Sequence, residues 1–276
     1  MRRLVIRPGA IGDLIVSLPA LECLRAEADY LEVWTAAANV PLVRFAGRVR
    51  GIAATGLDLL GVTAPPPDLL EELRSFDSIV SWYGANRPDF RELTRSLGLP
   101  IAFLRALPAD HPGMHVTDFY LEQVRSIATC GISAGDGIPR IPCQPVPENA
   151  GRENVSRENA ARENFAVIHP FSGSPRKNWP PENFRFLARE LERVMPVFWC
   201  AGPEDPALPG AVQIPNLYDL ACWLARAAVY IGNDSGITHL AAAVGTPVLA
   251  LFGPTDPEVW APRGPHVQVV RWWTER

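Results

Sequence analysis

Short apolar runs of strand character alternate with helical patterns along both halves of the chain. In the first half this pattern predicts strands over residues 2–7, 31–35 and 78–82 and helices over residues 13–26 and 116–130. In the second half it predicts strands over residues 165–169, 197–201, 229–233 and 248–252 and helices over residues 182–193, 217–226 and 236–244. Strands that alternate with helices are typical of parallel sheets covered by helices. The sequence therefore predicts an α/β protein with two Rossmann-like halves, each built on a parallel sheet.

The alternation stops between residues 141 and 164. Prolines at 142, 145 and 147 precede the repeats GRENV, SRENA and ARENF, in which apolar residues fall at neither helical nor strand spacing. Such a segment cannot bury a face, so we predict a solvated linker over residues 144–164 between domains at 1–143 and 165–276. Open parallel sheets bind ligands at the carboxyl ends of their strands, and a cleft between the two domains is the expected place for a site.

Composition removes several classes of function. Hydrophobic residues make up 47% of the chain, which favours a packed core, and a net charge of −4 with no basic half argues against a nucleic-acid partner. The cysteines are scattered without a C-x-x-C pair, so we expect neither a metal cluster nor a disulfide framework, and a reducing cytoplasm fits best. No signal peptide and no apolar stretch of membrane-spanning length, roughly 20 residues, is apparent, although a peripheral position on a membrane stays open.

The first informative motif is R-P-G-A-I-G-D over residues 7–13, between a predicted strand and a predicted helix. Its two glycines allow a tight turn and a close approach to a ligand, and Asp13 stands at the start of the helix. Aspartate is a favoured helix cap, and on this motif alone capping explains Asp13 better than catalysis does. The glycine spacing differs from G-x-G-x-x-G, and the second strand ends in Trp34-Thr35 rather than in an acidic residue, which makes a nicotinamide enzyme unlikely.

The second motif is H-P-F-S-G-S-P-R-K-N-W-P over residues 169–180, at the predicted carboxyl end of a strand. Backbone N–H groups and hydroxyls in a Ser/Gly-rich loop suit phosphate oxygens. Lys177 within this loop is the only lysine in the chain, whose other basic residues are all arginine. Most lysines are solvated surface residues, but a single retained lysine in this loop points to a role in anion binding.

The third motif is G-N-D-S-G-I-T-H over residues 232–239, where a strand gives way to a helix. A helix N-terminus offers unpaired N–H groups and a favourable dipole to an anion, and His239 lies one turn inside that helix. The alternative is that Asp234 or Ser235 caps the helix and His239 simply packs in the core. The residues of this segment alone leave both interpretations open.

The three segments together resemble the heptosyltransferase-like glycosyltransferases of family 9, which build the inner core of lipopolysaccharide. The resemblance rests on R-P-G-A-I-G-D-L-I-V-S-L-P-A-L, on K-N-W-P and above all on G-N-D-S-G-I-T-H-L-A-A-A-V-G-T-P-V-L-A-L-F-G-P-T-D-P. It implies a GT-B fold, with two Rossmann-like domains facing across a cleft, the acceptor on the first and the donor on the second. It also implies inverting transfer of a sugar, with heptose from ADP-heptose as the first candidate, to a lipopolysaccharide-core or related glycan or glycolipid acceptor.

The resemblance makes Asp13 the general base. It assigns donor binding to residues in three loops, with Lys177 and the start of the last helix also stabilising the leaving phosphate. These donor-binding residues are Ser172, Gly173, Lys177, Glu204, Asp234, Ser235, Gly236 and His239.

Gly12, Arg44 and Arg48 are assigned to the acceptor side. The two arginines are four apart on a predicted helix and could meet an anionic glycolipid, although a solvated basic face is the favoured interpretation. No D-x-D motif is present, so paired carboxylates holding a metal are not required. We expect a monomer that needs no cofactor beyond its nucleotide-sugar co-substrate.

Two features depart from the family pattern. Phe171 follows His-Pro where the family often has glycine, and prolines at 203, 206, 209 and 215 exclude a helix between residues 201 and 217. Two alternative functions therefore stay open. One is a GT-B-fold sugar-nucleotide epimerase or hydrolase, and the other is a non-catalytic relative that binds a sugar nucleotide or a partner.

Overall fold

The computed structural model describes residues 1–62, 67–108, 113–133, 135–143 and 162–272. The chain divides into two compact units, Met1–Ile138 and Pro139–Arg276, which we call unit 1 and unit 2. The division falls a few residues before the predicted end of the first domain at 143. The predicted linker lies outside the described residues except for its last three, of which Glu163 and Asn164 already belong to a strand.

Unit 1 is built on a five-stranded parallel sheet with the strand order β3-β2-β1-β4-β5. Its strands are β1 (Arg2–Arg7), β2 (Tyr30–Thr35), β3 (Arg48–Gly51), β4 (Ser78–Ser81) and β5 (Ile101–Phe103). Its helices are α1 (Ile11–Ala26), α2 (Pro67–Arg74), α3 (Pro88–Ser96) and α4 (Val116–Arg125), and short 3-10 turns lie at Ala37–Leu42, Ile52–Ala54 and Leu57–Leu59.

Unit 2 repeats this architecture in a second parallel sheet with the order β10-β9-β8-β6-β7. Its strands are β6 (Glu163–His169), β7 (Val197–Trp199), β8 (Ala227–Asn233), β9 (Val248–Phe252) and β10 (Val267–Arg271). Its helices are α5 (Pro181–Leu191), α6 (Leu217–Arg226), α7 (Gly236–Ala243) and α8 (Pro257–Trp260), with a 3-10 turn at Pro175–Lys177.

Each sheet has its own hydrophobic core. The central strand β1 buries every residue after Arg2, as expected of a parallel strand covered on both faces, and Trp34 on β2 is fully buried beside it. In unit 2, Phe184 and Ala188 lie one turn apart on α5 and pack against Ile168 of β6. The alternation read from the sequence therefore corresponds to two separate α/β cores.

A disulfide joins Cys23 on α1 to Cys130, which follows α4, with their Cα atoms 5.0 Å apart. These two residues are paired, against the expectation from the sequence that the chain has no disulfide framework. They are 107 positions apart in sequence, and only the packing of α1 against α4 brings them together. Cys143, Cys200 and Cys222 are free thiols.

The acceptor-side prediction for Arg44 and Arg48 is wrong in its secondary structure. Arg44 follows the 3-10 turn at Ala37–Leu42, whereas Arg48 begins β3, so the two residues do not share a helical face. Pro41 and Gly47 interrupt any helix here, and the chain pairs instead with β2. Arg48 lies 3.4 Å from a carboxylate oxygen of Glu72, so its charge is partly used within the unit.

The remaining differences lie mostly at the ends of elements. The helix predicted over 116–130 ends at Arg125, and the first helix begins at Ile11 rather than Asp13. Between β7 and α6 the described chain forms no helix, as the prolines predicted. Among the described residues, no helix is both long and apolar enough to cross a membrane.

Candidate functional site

Both sheets reverse their strand order at one point, and the sequence motifs lie there. In unit 1 the reversal is between β1 and β4, and R-P-G-A-I-G-D follows β1. In unit 2 it is between β6 and β8, and the other two motifs follow those strands. Ligands of open parallel sheets bind outside the carboxyl ends of the strands at such points. Topology therefore marks one candidate site in each unit.

In unit 2, Asn233 ties the loop after β6 to the end of β8. Its fully buried side chain donates a hydrogen bond to the carbonyl of Pro170 at 2.8 Å and accepts one from the Trp179 N–H at 2.8 Å. One amide therefore fixes both ends of the Ser/Gly-rich loop. In the sequence, Asn233 stands out only as part of a motif. The signal that could have identified it is an asparagine at the buried end of a central strand.

Lys177 lies on the 3-10 turn inside that loop and forms an ion pair with Asp234. Its Nζ is 2.8 Å from Asp234 Oδ2. The same oxygen accepts a hydrogen bond of 2.6 Å from the Thr255 hydroxyl, which belongs to the loop after β9. The Asp234 side chain is only 7% exposed, whereas that of Lys177 is 32% exposed. The only lysine of the chain is thus held against Asp234 with part of its surface exposed.

The start of α7 shows which residue caps the helix. Ser235 is the N-cap residue, and its hydroxyl accepts the N–H of Thr238. Asp234 does not serve as the cap, because its carboxylate binds Lys177 and Thr255 instead. Gly236 is the first helical residue, so the unpaired N–H groups of the first turn follow Asp234 directly along the chain. Donor binding by this segment stays a prediction.

His239 lies in the first turn of α7 and is buried. Its side chain interacts with other groups of the protein. Its contact with the donor stays a prediction from the family resemblance.

Ser172 and Gly173, the residues predicted to contact the donor phosphates, have different surroundings in the structure. The Ser172 hydroxyl lies 2.8 Å from the Ser174 carbonyl and 2.7 Å from Asn178 Oδ1, so it organises the loop itself. Gly173 is exposed, and a Cβ placed there would meet nothing within 4 Å. The Ser172 hydroxyl is therefore engaged within the loop, and position 173 has no steric need for glycine. The predicted phosphate contact of this loop then falls to its backbone N–H groups.

After β7, Asp205 is a carboxylate with hydrogen-bond partners inside unit 2, and donor contact by its neighbour Glu204 stays a prediction. Glu204 is exposed, while Asp205 Oδ2 lies 3.0 Å from Nε2 of the buried His169 and accepts the Gly202 N–H at 2.6 Å. Burial acts to raise the pKa of Asp205, but the hydrogen bonds from His169 and Gly202 hold that pKa below its usual value. Phe171, the departure noted in the sequence, packs edge-on against the His169 ring. Sequence reasoning missed the His169–Asp205 pair because the two residues are 36 positions apart.

In unit 1, Asp13 is the third residue of α1, not its N-cap. Its Oδ2 accepts the Ala10 N–H at 2.9 Å, the reciprocal half of a capping box. Gly9 has φ of +121°, and a Cβ there would stand 2.7 Å from Asp13 Oδ2, so only glycine fits. Gly9, the first glycine of the motif, therefore allows the chain to turn around the Asp13 carboxylate.

A buried arginine lies behind Asp13. The Arg7 side chain, 3% exposed, donates to the backbone carbonyls of Pro8 and Asp13 and to the hydroxyl of Tyr120, and lies 3.8 Å from Asp13 Oδ1. Burial raises the pKa of Tyr120 to about 12, so this hydroxyl stays neutral. Asn39 donates to the Gly9 carbonyl at 3.1 Å and holds the loop from the other side. Asp13 is therefore held by a fixed loop while its side chain stays partly exposed.

Gly12 lies inside α1 and is half-buried. Among the residues that the structure describes, no group of three or more His, Cys, Asp or Glu side chains is placed to hold a metal ion. The candidate chemistry of the two sites is thus a carboxylate in unit 1 and, in unit 2, a cation beside a helix N-terminus.

Two units, each built on a five-stranded parallel sheet covered by helices, define the class of this protein as a Rossmann-like α/β protein. A family model described as "Glycosyltransferase family 9 (heptosyltransferase)" matches residues 136–276, just over half of the chain. The chain belongs to glycosyltransferase family 9. The resemblance seen in the sequence motifs is confirmed.

Curated relatives match parts of the chain. Lipopolysaccharide heptosyltransferase 3 of Escherichia coli is 44% identical over 63 residues, which are 23% of this chain and 18% of that protein. Lipooligosaccharide heptosyltransferase 2 of Haemophilus influenzae is 38% identical over 114 residues, which are 35% of this chain and 33% of that protein. The matched stretches thus span no more than about a third of either relative.

Solved structures extend the likeness over the whole chain. A family 9 glycosyl transferase from Veillonella parvula superposes with a TM-score of 0.70 at 17% identity, covering 99% of this chain and 86% of the other. ADP-heptose lipopolysaccharide heptosyltransferase II of E. coli gives a TM-score of 0.68 at 19% identity, covering 100% and 92%. The E. coli heptosyltransferase WaaC, solved with ADP, gives 0.63 at 18% identity, covering 98% and 92%. These likenesses confirm the predicted GT-B type of fold.

Proposed function

We propose that this protein is an inverting glycosyltransferase that moves a sugar from a nucleoside diphosphate donor to a glycan acceptor. The observation that carries the proposal is the Lys177–Asp234 pair beside the N-terminus of α7, at the strand reversal of unit 2. A lysine and a set of unpaired helix N–H groups complement the two negative charges of a diphosphate. The donor is ADP-linked, with heptose as the sugar, because WaaC was solved with ADP and with an ADP-linked fluorinated heptose.

In the proposed reaction an acceptor hydroxyl attacks the anomeric carbon of the sugar, and the nucleoside diphosphate leaves. Asp13 takes the proton from the acceptor hydroxyl as a general base. Lys177 and the first-turn N–H groups of α7 stabilise the charge that develops on the leaving phosphate. These positive groups do the work that a divalent cation does in other transferases, so we propose metal-independent chemistry without a cofactor.

The acceptor we propose is the lipopolysaccharide core or a related glycolipid, as the names of the relatives suggest. Gly12 belongs to the acceptor side by its place in the motif that carries Asp13. An acceptor of this kind would bring the protein to the inner face of the cytoplasmic membrane, and we propose a cytoplasmic, peripherally associated monomer. A reducing compartment keeps cysteines as thiols, so in the cytoplasm we expect the Cys23–Cys130 disulfide to be reduced.

Donor binding is tested first, with ADP as the probe. Because Lys177 is the only lysine, protein labelled with ¹³C-lysine gives a single side-chain NMR signal, which should shift saturably as ADP is added. Lys177→Ala should weaken ADP binding by about 1.5–3 kcal/mol, the range for hydrogen bonds to charged groups, and leave adenosine binding nearly unchanged. Lys177 would have no role in phosphate binding if its NMR signal did not move with ADP, or if Lys177→Ala weakened the binding of ADP and adenosine equally.

Transfer is tested with labelled ADP-heptose and a heptose-deficient lipopolysaccharide core. The proposal expects ADP release that depends on the acceptor, together with label in the glycolipid. Release of ADP without acceptor would indicate a hydrolase or an epimerase-like enzyme. Tight binding with no turnover under any condition would indicate a non-catalytic relative.

A further inference from the structure

We propose that Thr255 is a positioning residue that keeps Lys177 available to the diphosphate of the donor. This inference rests on the proposed function, since it requires that Lys177 binds a diphosphate. It concerns a residue outside the three loops to which the family resemblance assigned donor contacts. Its basis is the convergence of two donors on one buried carboxylate oxygen.

The first step is the state of Asp234. Its carboxylate is nearly fully buried, and the Oδ2 atom accepts from Lys177 at 2.8 Å and from Thr255 at 2.6 Å. A buried carboxylate that loses a hydrogen-bond donor is strongly destabilised, because nothing replaces the lost hydration. Asp234 therefore depends on both donors in the ligand-free protein.

The second step is competition for the lysine. A diphosphate carries more negative charge than one carboxylate, so it draws the Lys177 ammonium away from Asp234 when it binds. Asp234 then loses its cationic partner. The free energy of diphosphate binding becomes less favourable unless another group donates a hydrogen bond to the Asp234 carboxylate. The neutral hydroxyl of Thr255 can do so both before and after the ligand arrives.

The third step is the placement of Thr255 by its loop. Gly253 begins this loop after β9, and a Cβ there would lie 3.0 Å from Trp272 and 3.6 Å from the carbonyl of Arg176. The loop thus runs tightly against the residue that precedes Lys177. Asp256, the next residue, caps α8 by accepting the Glu258 N–H. Thr255 is fixed on both sides, and its hydroxyl is held toward Asp234.

The experiment measures the affinity for ADP, AMP and adenosine by titration calorimetry. Thr255→Val keeps the shape of the side chain but removes the hydroxyl, and it should weaken ADP binding by about tenfold, equivalent to about 1.4 kcal/mol. AMP should lose less and adenosine nothing. Thr255→Ser keeps the hydroxyl and should stay within about twofold of the parent, because the hydrogen bond to Asp234 is what decides the effect.

A double-mutant cycle separates positioning from a structural role. In a Lys177→Ala background, Thr255→Val should change ADP affinity by less than about twofold, because the residue through which it acts is gone. Additive losses, or equal weakening of adenosine, would overturn the inference. So would a Thr255→Val protein that binds ADP like the parent while the parent itself responds to Lys177→Ala.

A matched control is Thr246→Val, because Thr246 is a buried threonine of unit 2 whose hydroxyl bonds the Leu224 carbonyl instead. It should lower the melting temperature and leave ADP affinity unchanged. Equal loss of ADP affinity in this control would mean that Thr255→Val acts through general loosening, which also overturns the inference. If the parent protein binds no nucleoside diphosphate at all, the proposed function itself has failed, and that outcome is separate from every failure above.

Discussion

The Asp13 carboxylate has one oxygen engaged with the Ala10 N–H and the other 3.8 Å from the buried Arg7 guanidinium. The first contact is a capping interaction, so the structure supports part of the modest interpretation favoured by the motif alone. The second contact places a negative charge near the buried Arg7 guanidinium. A group that stabilises a helix start can still act as a base, because its side chain remains partly exposed to an acceptor.

Asp13→Asn distinguishes the two roles. Asparagine can still accept the Ala10 N–H, and the 3.8 Å contact between Arg7 and Asp13 is longer than a hydrogen bond, so the unfolding free energy should fall by less than about 1 kcal/mol. It cannot take a proton, so kcat should fall by about 10²–10⁴-fold while ADP affinity is unchanged. Asp89→Asn, in the first turn of α3, is the matched control and should keep the parental rate. Near-parental transfer by Asp13→Asn would make Asp13 a cap only.

The glycines of the two loops should respond differently to alanine. Gly9→Ala places a methyl group against the Asp13 carboxylate at a backbone angle that alanine rarely adopts, so we expect a loss of stability of about 1–3 kcal/mol. Gly173→Ala meets only open space, and its effect should stay within about 0.5 kcal/mol. Denaturant unfolding of both variants measures this contrast. Similar losses at the two positions would mean that the Gly9 geometry does not hold.

The Asp205 carboxyl should make stability depend on pH. Its folded pKa lies below its unfolded value of about 3.9, so its contribution is present above that value and is lost as the pH falls through the folded pKa. Asp205→Asn should therefore cost about 1–2 kcal/mol near neutral pH, and the difference should fade below about pH 4. Glu204→Gln is the neighbouring control and should be neutral. A difference that is independent of pH would contradict the assigned cause.

At the residue scale, the sequence predicted groups that act through their own chemistry and missed groups that act through partners distant in sequence. Lys177 stood out as a candidate because it is the only lysine, and Ser235 was one of two candidate caps because serine caps helices. Asp205 and Thr255 were not, since their partners His169 and Asp234 come near only after the sheet has formed.

At the scale of elements, the strands predicted correctly are largely those with buried, continuous apolar runs, such as β1 and β9. The missed strands β3, β5 and β10 are all outer strands, and they are short or largely exposed. An outer strand needs fewer apolar residues, so periodicity carries little signal there. The same reason placed Arg48 on a helix, although pairing with β2 decides its conformation.

The packing of α1 on α4 should depend on redox state. Cys23 and Cys130 close a loop of about a hundred residues, and removal of such a crosslink typically costs about 2–4 kcal/mol. Reductant should therefore lower the unfolding free energy of unit 1 in the parent protein and leave a Cys23→Ser/Cys130→Ser double variant unaffected. Cys200→Ser should stay as sensitive as the parent, because this free thiol is buried elsewhere. A parent protein indifferent to reductant would show that the crosslink contributes nothing to stability.

At the scale of the whole molecule, donor binding and transfer place different demands on the chain. Lys177, Asp234 and the start of α7 all belong to unit 2, so ADP binding should be a property of that unit. Transfer also needs the proposed base Asp13 in unit 1. The segment over residues 145–161, with its Arg-Glu-Asn repeats, falls within unit 2 by this division and carries no apolar periodicity of its own.

Replacing residues 145–161 with a Gly/Ser segment of equal length should therefore leave ADP affinity within about twofold of the parent and retain transfer, because a flexible segment of the same length still connects residues 144 and 162. Calorimetry with ADP and the labelled-donor assay measure the two properties on the same preparation. If the replacement loses ADP affinity, the repeats are part of the donor site and the predicted linker is wrong. If the replacement keeps ADP affinity but loses transfer, the repeats contribute to transfer rather than to donor binding.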